Sequence, residues 1–271
     1  MTKKYICLVA LLSLGVFSCR KSDDNGVQIR EMAEVIPEND RDIQAYLRTH
    51  FCELDAQKNF ILDTLAGGNA SKTALWEHPN LKRKVIKALD RHGNYYDTTM
   101  YYLILQEGNG TQATVADRSF VLYKGQTLKG KVFDQAMTLR TNTWFDLLGT
   151  QANAYLGGAI IGFHERVALM KDSSDSATED TSTGILTPPT TGGMGIFFLP
   201  SPIAYYTGTV GVPAYAPLIF QIKLLKTQKY DHDGDGIPSI DEIIHHSDGT
   251  ITFPDCNGNN KADYLDANQC S

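Results

Sequence analysis

The sequence has no dense cluster of lysine and arginine, and its formal net charge is −6. The basic face expected of a nucleic-acid binder is therefore missing. It also has no apolar run long enough to span a bilayer as a helix. There is no G-x-S-x-G elbow, no P-loop, no Rossmann fingerprint, no H-E-x-x-H and no C-x-x-C, so nothing signals the chemistries those motifs serve. His164-Glu165 lacks the second histidine of a zinc site. His245-His246 lies beside acidic loops and reads as solvated or structural. What remains is ordinary globular material, 42% hydrophobic and 21% charged over 271 residues. That is enough chain for one large domain or two small ones. Much of the acidic excess falls after Lys229, which points to cation binding there.

At the N-terminus, Lys3 and Lys4 precede an apolar run from Tyr5 to Phe17 that stops at Ser18-Cys19. Residues 1–18 resemble a bacterial lipoprotein signal peptide, which implies cleavage before Cys19 and lipidation of its thiol. The usual pattern prefers Leu and Ala or Gly where Val16 and Ser18 stand. A plain secretory leader with an incidental cysteine, or a buried strand, are the other readings. A lipid would anchor the protein to a membrane without spanning it. The acidic run after Cys19 resembles a surface-export tag and reads equally as a solvated linker. Cys52, Cys256 and Cys270 remain, and sequence alone does not pair them. Cys256 and Cys270 flank a short loop-rich segment, where a disulfide suits an oxidising compartment; Cys52 would then be a buried thiol.

Residues 19–39 are polar and read as a tether. Residues 40–94 read as a helical segment. Asp40 is placed to cap a helix through His50, with Ile43, Tyr46, Leu47 and Phe51 on one stripe. A second helix is expected from about Asn80 to Arg91, with Leu81, Val85, Ile86 and Leu89 inward. From Tyr95 the period changes to β. Thr99–Gln106, Ser119–Tyr123 and Leu218–Leu225 read as strands, with one helical segment near Gly162–Met170. Fold class is therefore α+β with a largely antiparallel sheet over 95–227. Residues 172–193 are polar with Pro188-Pro189 and read as a long flexible surface loop.

Several pieces of 95–227 carry a family likeness. Val121-Leu-Tyr-Lys-Gly125 is followed by Gly130-Lys-Val-Phe-Asp134. Ile160-Ile-Gly-Phe163 is followed by Val167-Ala-Leu-Met170. Then come Phe198-Leu-Pro-Ser-Pro-Ile-Ala-Tyr205 and Pro217–Leu225. In this order they resemble the signature of FK-binding-protein (FKBP) type peptidyl-prolyl isomerases, over about half the chain. The resemblance implies a sheet wrapped around a short helix. It also implies a proline pocket lined by Tyr123, Phe133, Ile160, Phe163 and Phe220. Asp134 and Tyr205 would supply polar contacts, the Tyr205 hydroxyl donating to a substrate carbonyl. Three departures stand out. The pocket-floor Trp of the family is Phe163 here. Tyr206 replaces a Gly, so the rim is rebuilt. The aromatic strand before Ile160 aligns only loosely, with Phe145 as its candidate. Packing in a core is the alternative role for these aromatics.

In the tail, 228–271, Asp231-His-Asp-Gly-Asp-Gly-Ile-Pro-Ser-Ile-Asp-Glu242 fits D-x-D-x-D-G-x5-E. Calcium takes roughly six to eight oxygens, and this spacing wraps Asp231, Asp233, Asp235, the Ile237 carbonyl and Glu242 around one ion. Asp255, Asn257, Asn259, Asp263 and Asp266 repeat the spacing more weakly, with Asn260 where the first loop has Gly236. The two copies resemble thrombospondin type-3 repeats, which implies structural Ca2+. A disordered acidic tail is the plain alternative. Together these features lead to the expectation of a prolyl isomerase acting on proline-containing polypeptides. It would help exported proteins fold at the cell envelope, lipid-anchored at the outer membrane, with no catalytic cofactor. A non-catalytic FKBP-like binding module and a calcium-stabilised surface lipoprotein are the alternatives.

Overall fold

The computed structural model describes residues 29–139, 144–150, 159–182 and 184–268. The leader-like stretch, Cys19 and Cys270 lie outside these residues. Among the described residues no helix is long and apolar enough to cross a membrane.

Helix α1 spans Met32–Thr49. Val35, Ile43, Tyr46 and Leu47 recur at helical spacing, and all are buried. The helix thus starts before Asp40, inside the segment expected to be a tether. It does so despite Pro37, which lacks an N–H and normally interrupts a helix. Burial of Met32 and Val35 holds these first turns, as does a two-pronged pair between the Arg30 guanidinium and the Glu38 carboxylate at 2.7 and 2.8 Å. A hairpin follows, β1 (His50–Leu54) with β2 (Phe60–Thr64).

The helix expected over 80–91 is instead strand β3 (Leu81–Leu89), paired antiparallel along its whole length with β4 (Tyr95–Gln106). Leu81, Val85, Ile86 and Leu89 satisfy a helical stripe by spacing, yet Val85 is 50% exposed while Ile86 and Ala88 are fully buried. Alternation at the C-terminal half of the run, and a ready partner strand, outweigh the helical propensity of its lysines. The basic residues suit an edge strand, where charge discourages pairing with other chains.

The main sheet also takes in β5 (Arg118–Thr127), β6 (Val132–Ala136) and β7 (Trp144–Asp146). Helix α2 (Ile161–Val167) and a small hairpin of β8 (Thr178–Asp180) and β9 (Ile185–Thr187) precede β10 (Met194–Leu199) and β11 (Leu218–Gln228). Strand order is β3-β4-β10-β11-β5-β6, with β7 on the other end of β5, and every pairing is antiparallel. The fold is α+β. Helix α2 lies on one face, where Phe163 and Val167 meet Phe197, Phe220, Ile222 and Leu224. Helix α1 covers part of the other face, where Ile43 and Leu47 meet Ile196, Phe198 and Ile219. Burial on both faces explains why β10 reads as a continuous apolar run, buried at every position.

Residues 172–193 are not a featureless loop. Asp172 and Ser173 are fully buried at their base, and the Asp172 carboxylate accepts from the backbone N–H of Thr111 (2.6 Å) and Thr227 (3.0 Å). The β8–β9 hairpin projects from this anchored base. From Lys229 to Asn268 the tail packs against the body. Ile243, Ala262 and Tyr264 form a third core with Val115, Ala116 and Leu148. Two short strands, β12 (Ile244–His245) and β13 (Ile251–Thr252), pair within it.

Candidate functional site

A cleft of about 380 Å³ opens between α2 and the sheet, within the size range of small-ligand pockets. Tyr123, Asp134, Phe145, Asp146, Ala159, Ile160, Phe163, Tyr205 and Phe220 line it. Rings from separate elements wall it edge to face. Phe163 on α2 stands 6.2 Å from Tyr123 on β5 and 6.3 Å from Phe220 on β11. Phe145 on β7 packs 5.0 Å from Phe163 and 5.6 Å from Tyr123. Phe133 does not line the cleft; it stands behind Phe220 (5.5 Å) and Tyr205 (6.1 Å) and props them. Gly125 makes room for it, because a Cβ there would lie 2.6 Å from the Phe133 ring. The seven residues predicted for this site are thus brought together, six on the wall and one behind it.

Polar groups are few and specific. The Tyr123 hydroxyl donates to the Asp134 carboxylate at 2.6 Å. Burial, then this bond, raises the Tyr123 phenol above its ordinary range. Burial also raises Tyr205, against the opposing charge of Arg166. Tyr205 therefore stays a neutral donor, and among the described residues its hydroxyl has no hydrogen-bond partner. Asp146, which the sequence reading did not single out, is held by the Gly149 N–H (2.9 Å) and by His232 Nε2 (3.2 Å). Burial pushes its carboxyl up, but those bonds leave it below the usual range. The Arg166 guanidinium was also missed. It is fully buried, one turn along α2 behind the cleft.

The rebuilt rim has a definite cause. The Tyr206 hydroxyl donates to the Arg30 carbonyl at 2.8 Å, and the Arg30 N–H donates to the Tyr215 hydroxyl at 3.0 Å. The two tyrosine rings meet at 5.1 Å. Asn39, buried on α1, donates to the Tyr215 carbonyl (2.9 Å) and accepts from the Ser201 N–H (2.7 Å). Helix α1 thereby fastens both ends of the segment that carries Tyr205.

In the tail, carboxylate oxygens of Asp231, Asp233 and Asp235 all lie within 4.8 Å of one another. The Asp231 carboxylate accepts from the N–H of Gly234 and Gly236, at 2.7 and 2.8 Å, which lowers its pKa. Asp233 is raised, by burial first and then by its neighbours' charges. Gly236 turns the chain at φ 98°. Glu242 is buried but is not part of that cluster, and Ile237 is exposed. The second loop repeats the backbone. Asp255 accepts from Gly258, Asn259 and Asn260, and Asn260 takes φ 65°, a conformation asparagine tolerates. Its ligand set is arranged differently. Asn257 and Asn259 donate their amides to Asp266 at 3.0 and 2.6 Å, and Asp263 accepts from the Cys256 N–H. Cys256 is disulfide-bonded; its expected partner Cys270 lies outside the described residues. Cys52 is free and buried.

Neither a protein-family model nor a curated protein matches the chain. Among solved structures it is similar to a peptidyl-prolyl cis-trans isomerase of Pseudomonas syringae pv. tomato, at 17% identity and TM-score 0.40, covering 74% of this chain and 98% of that one. It is similar to FkpA of Escherichia coli at 22% identity and TM-score 0.36, covering 56% of this chain and 53% of that one. The N-terminal domain of FKBP42 of Arabidopsis thaliana gives 15% identity and TM-score 0.31, covering 48% of this chain and 86% of that one. Likenesses at this level carry no weight about activity, which rests on the cleft.

Proposed function

We propose that the protein is a peptidyl-prolyl cis–trans isomerase whose cleft takes a prolyl ring. The observation that carries this reading is the ring-walled cavity lined by one phenol, Tyr205, without a hydrogen-bond partner among the described residues. Rotation about an X–Pro bond faces a barrier of about 20 kcal/mol, because resonance holds the amide flat. A dry cleft disfavours the charge-separated planar amide relative to the twisted one. Phe163, Phe220, Tyr123 and Ile160 would hold the ring there, and Tyr205 would donate to a substrate carbonyl. Asp134 keeps the Tyr123 hydroxyl fixed. Because these groups are already in place, none needs to reorganise as the amide twists. The reaction breaks no covalent bond, so neither nucleophile nor leaving group is needed.

The test is an isomerisation assay on Xaa-Pro peptides. The wild-type protein should accelerate exchange, and Tyr205→Phe with Asp134→Ala should lower kcat/KM about tenfold or more. Unchanged rates in that pair would remove the assigned roles. Peptide binding without acceleration would instead favour a non-catalytic binding module.

The first acidic loop supports a second element of the proposal, a structural calcium site. Three carboxylates facing one another repel unless a cation joins them. Asp231, Asp233 and Asp235 would supply oxygens to a Ca2+, which would tie the loop to the packed tail. The second loop closes on itself through asparagine amides and has less need of an ion. Export and a lipid on Cys19 belong to the same proposal, and rest on residues 1–19 of the sequence. They would place the isomerase at the cell envelope, on the outer membrane and among exported polypeptides.

A further inference from the structure

Arg166 is fully buried, and among the described residues its Nε, Nη1 and Nη2 have no hydrogen-bond partner. Burying a guanidinium without an acceptor is costly. Burial pulls its pKa well down, but an arginine starts so high that it remains a cation in a protein. What compensates it is aromatic. Its Cζ lies 3.8 Å from the centre of the Phe220 ring and 4.4 Å from that of Phe163, with Phe197 at 6.0 Å. Phe163 and Phe220 both line the cleft. A permanent positive charge is therefore held one ring's thickness behind the wall, in a medium that screens it little. A core built for stability alone would use an aliphatic side chain here.

Resting on the isomerase reading above, we infer that Arg166 is an electrostatic positioning residue, whose charge favours return of electron density to the prolyl nitrogen as the amide twists. In the planar amide the nitrogen lone pair is shared with the carbonyl oxygen, leaving nitrogen electron-poor. In the twisted form the pair is localised on nitrogen. That role requires a prolyl ring seated between Phe163 and Phe220 with its nitrogen nearer Arg166 than its carbonyl, which Tyr205 would hold. A positive charge behind the ring then stabilises the twisted state more than the planar one. That difference raises kcat and leaves KM alone.

The experiment compares wild-type protein with Arg166→Met and Arg166→Lys, using steady-state isomerisation of an Xaa-Pro peptide and thermal melts. Arg166→Met removes the charge and keeps the bulk. It should melt at or above the wild-type temperature, because an unpaired buried charge is gone, yet lose about tenfold in kcat with KM within about twofold. Arg166→Lys should retain most of the rate. A merely structural arginine would not separate stability from turnover in this way. A folded Arg166→Met with wild-type kcat overturns the inference, as does a tenfold loss that lies in KM. Should Arg166→Met fail to fold, a folded Arg166→Lys decides: retained kcat supports the charge, and lost kcat overturns it. An inactive wild-type protein would overturn the isomerase reading itself, and the first arm of the same assay shows it.

Discussion

His164 is wholly buried on α2, and among the described residues neither of its ring nitrogens has a hydrogen-bond partner. Burial holds its pKa down at about 4; the charges of His245, Lys84 and Arg166 act the same way, and only Glu165 opposes them. An unfolded histidine titrates near ~6.5. The native state therefore binds fewer protons than the unfolded chain between these values. This contribution to stability is complete above about pH 6.5 and is lost as pH falls toward 4, up to about 3 kcal/mol in all. Denaturant melts at pH 7, 5.5 and 4.5 should show the loss, and His164→Gln should flatten it; equal slopes in the two proteins would refute the assignment. Nothing in the sequence marks this histidine or Arg166 as buried. On a short helix, a His-Glu-Arg run reads as a solvated face. Tyr123, Asp134, Phe163, Tyr205 and Phe220 were legible only through the family resemblance of the ordered motifs that hold them. Asp146 sits on a three-residue strand beside a stretch of uneven length, and no pattern marks it.

Among the elements, α1 does more than cover the sheet. Asn39 joins it to Ser201 and to Tyr215, at opposite ends of the rim. Asn39→Ala would leave a buried N–H and a carbonyl without partners, a loss of about 1–3 kcal/mol. Amide exchange over residues 201–216 should then quicken while β10 and β11 stay protected. Uniform quickening across the sheet would mean that α1 acts on global stability alone. Strands β4, β5 and β11 were readable from aromatic and β-branched runs. Strand β3 was not, because nine residues with four large apolar side chains fit a helical stripe as well as an edge strand. Only the partner β4 decides between them. The first turns of α1 were hidden by Pro37 and by polar neighbours whose contacts lie far along the chain.

At the scale of the whole molecule, the tail is a third packed unit joined to the body by Tyr264, Ile243 and the His232–Asp146 bond. Filling the first loop with calcium should therefore stabilise the body as well as the loop. At saturating calcium the melting temperature should rise by several degrees over a chelated sample, and Asp231→Ala with Asp233→Ala should abolish the difference. Identical melts with calcium and chelator would remove the calcium site and leave the cleft untouched.

The backbone of Arg30 is suspended between two phenols, its N–H on Tyr215 and its carbonyl on Tyr206. Both belong to the segment that carries Tyr205 to the cleft. A pull applied at Arg30 would thus load this segment before it reached any strand. Strain at that residue and access to the cavity would meet at the same two hydroxyl groups.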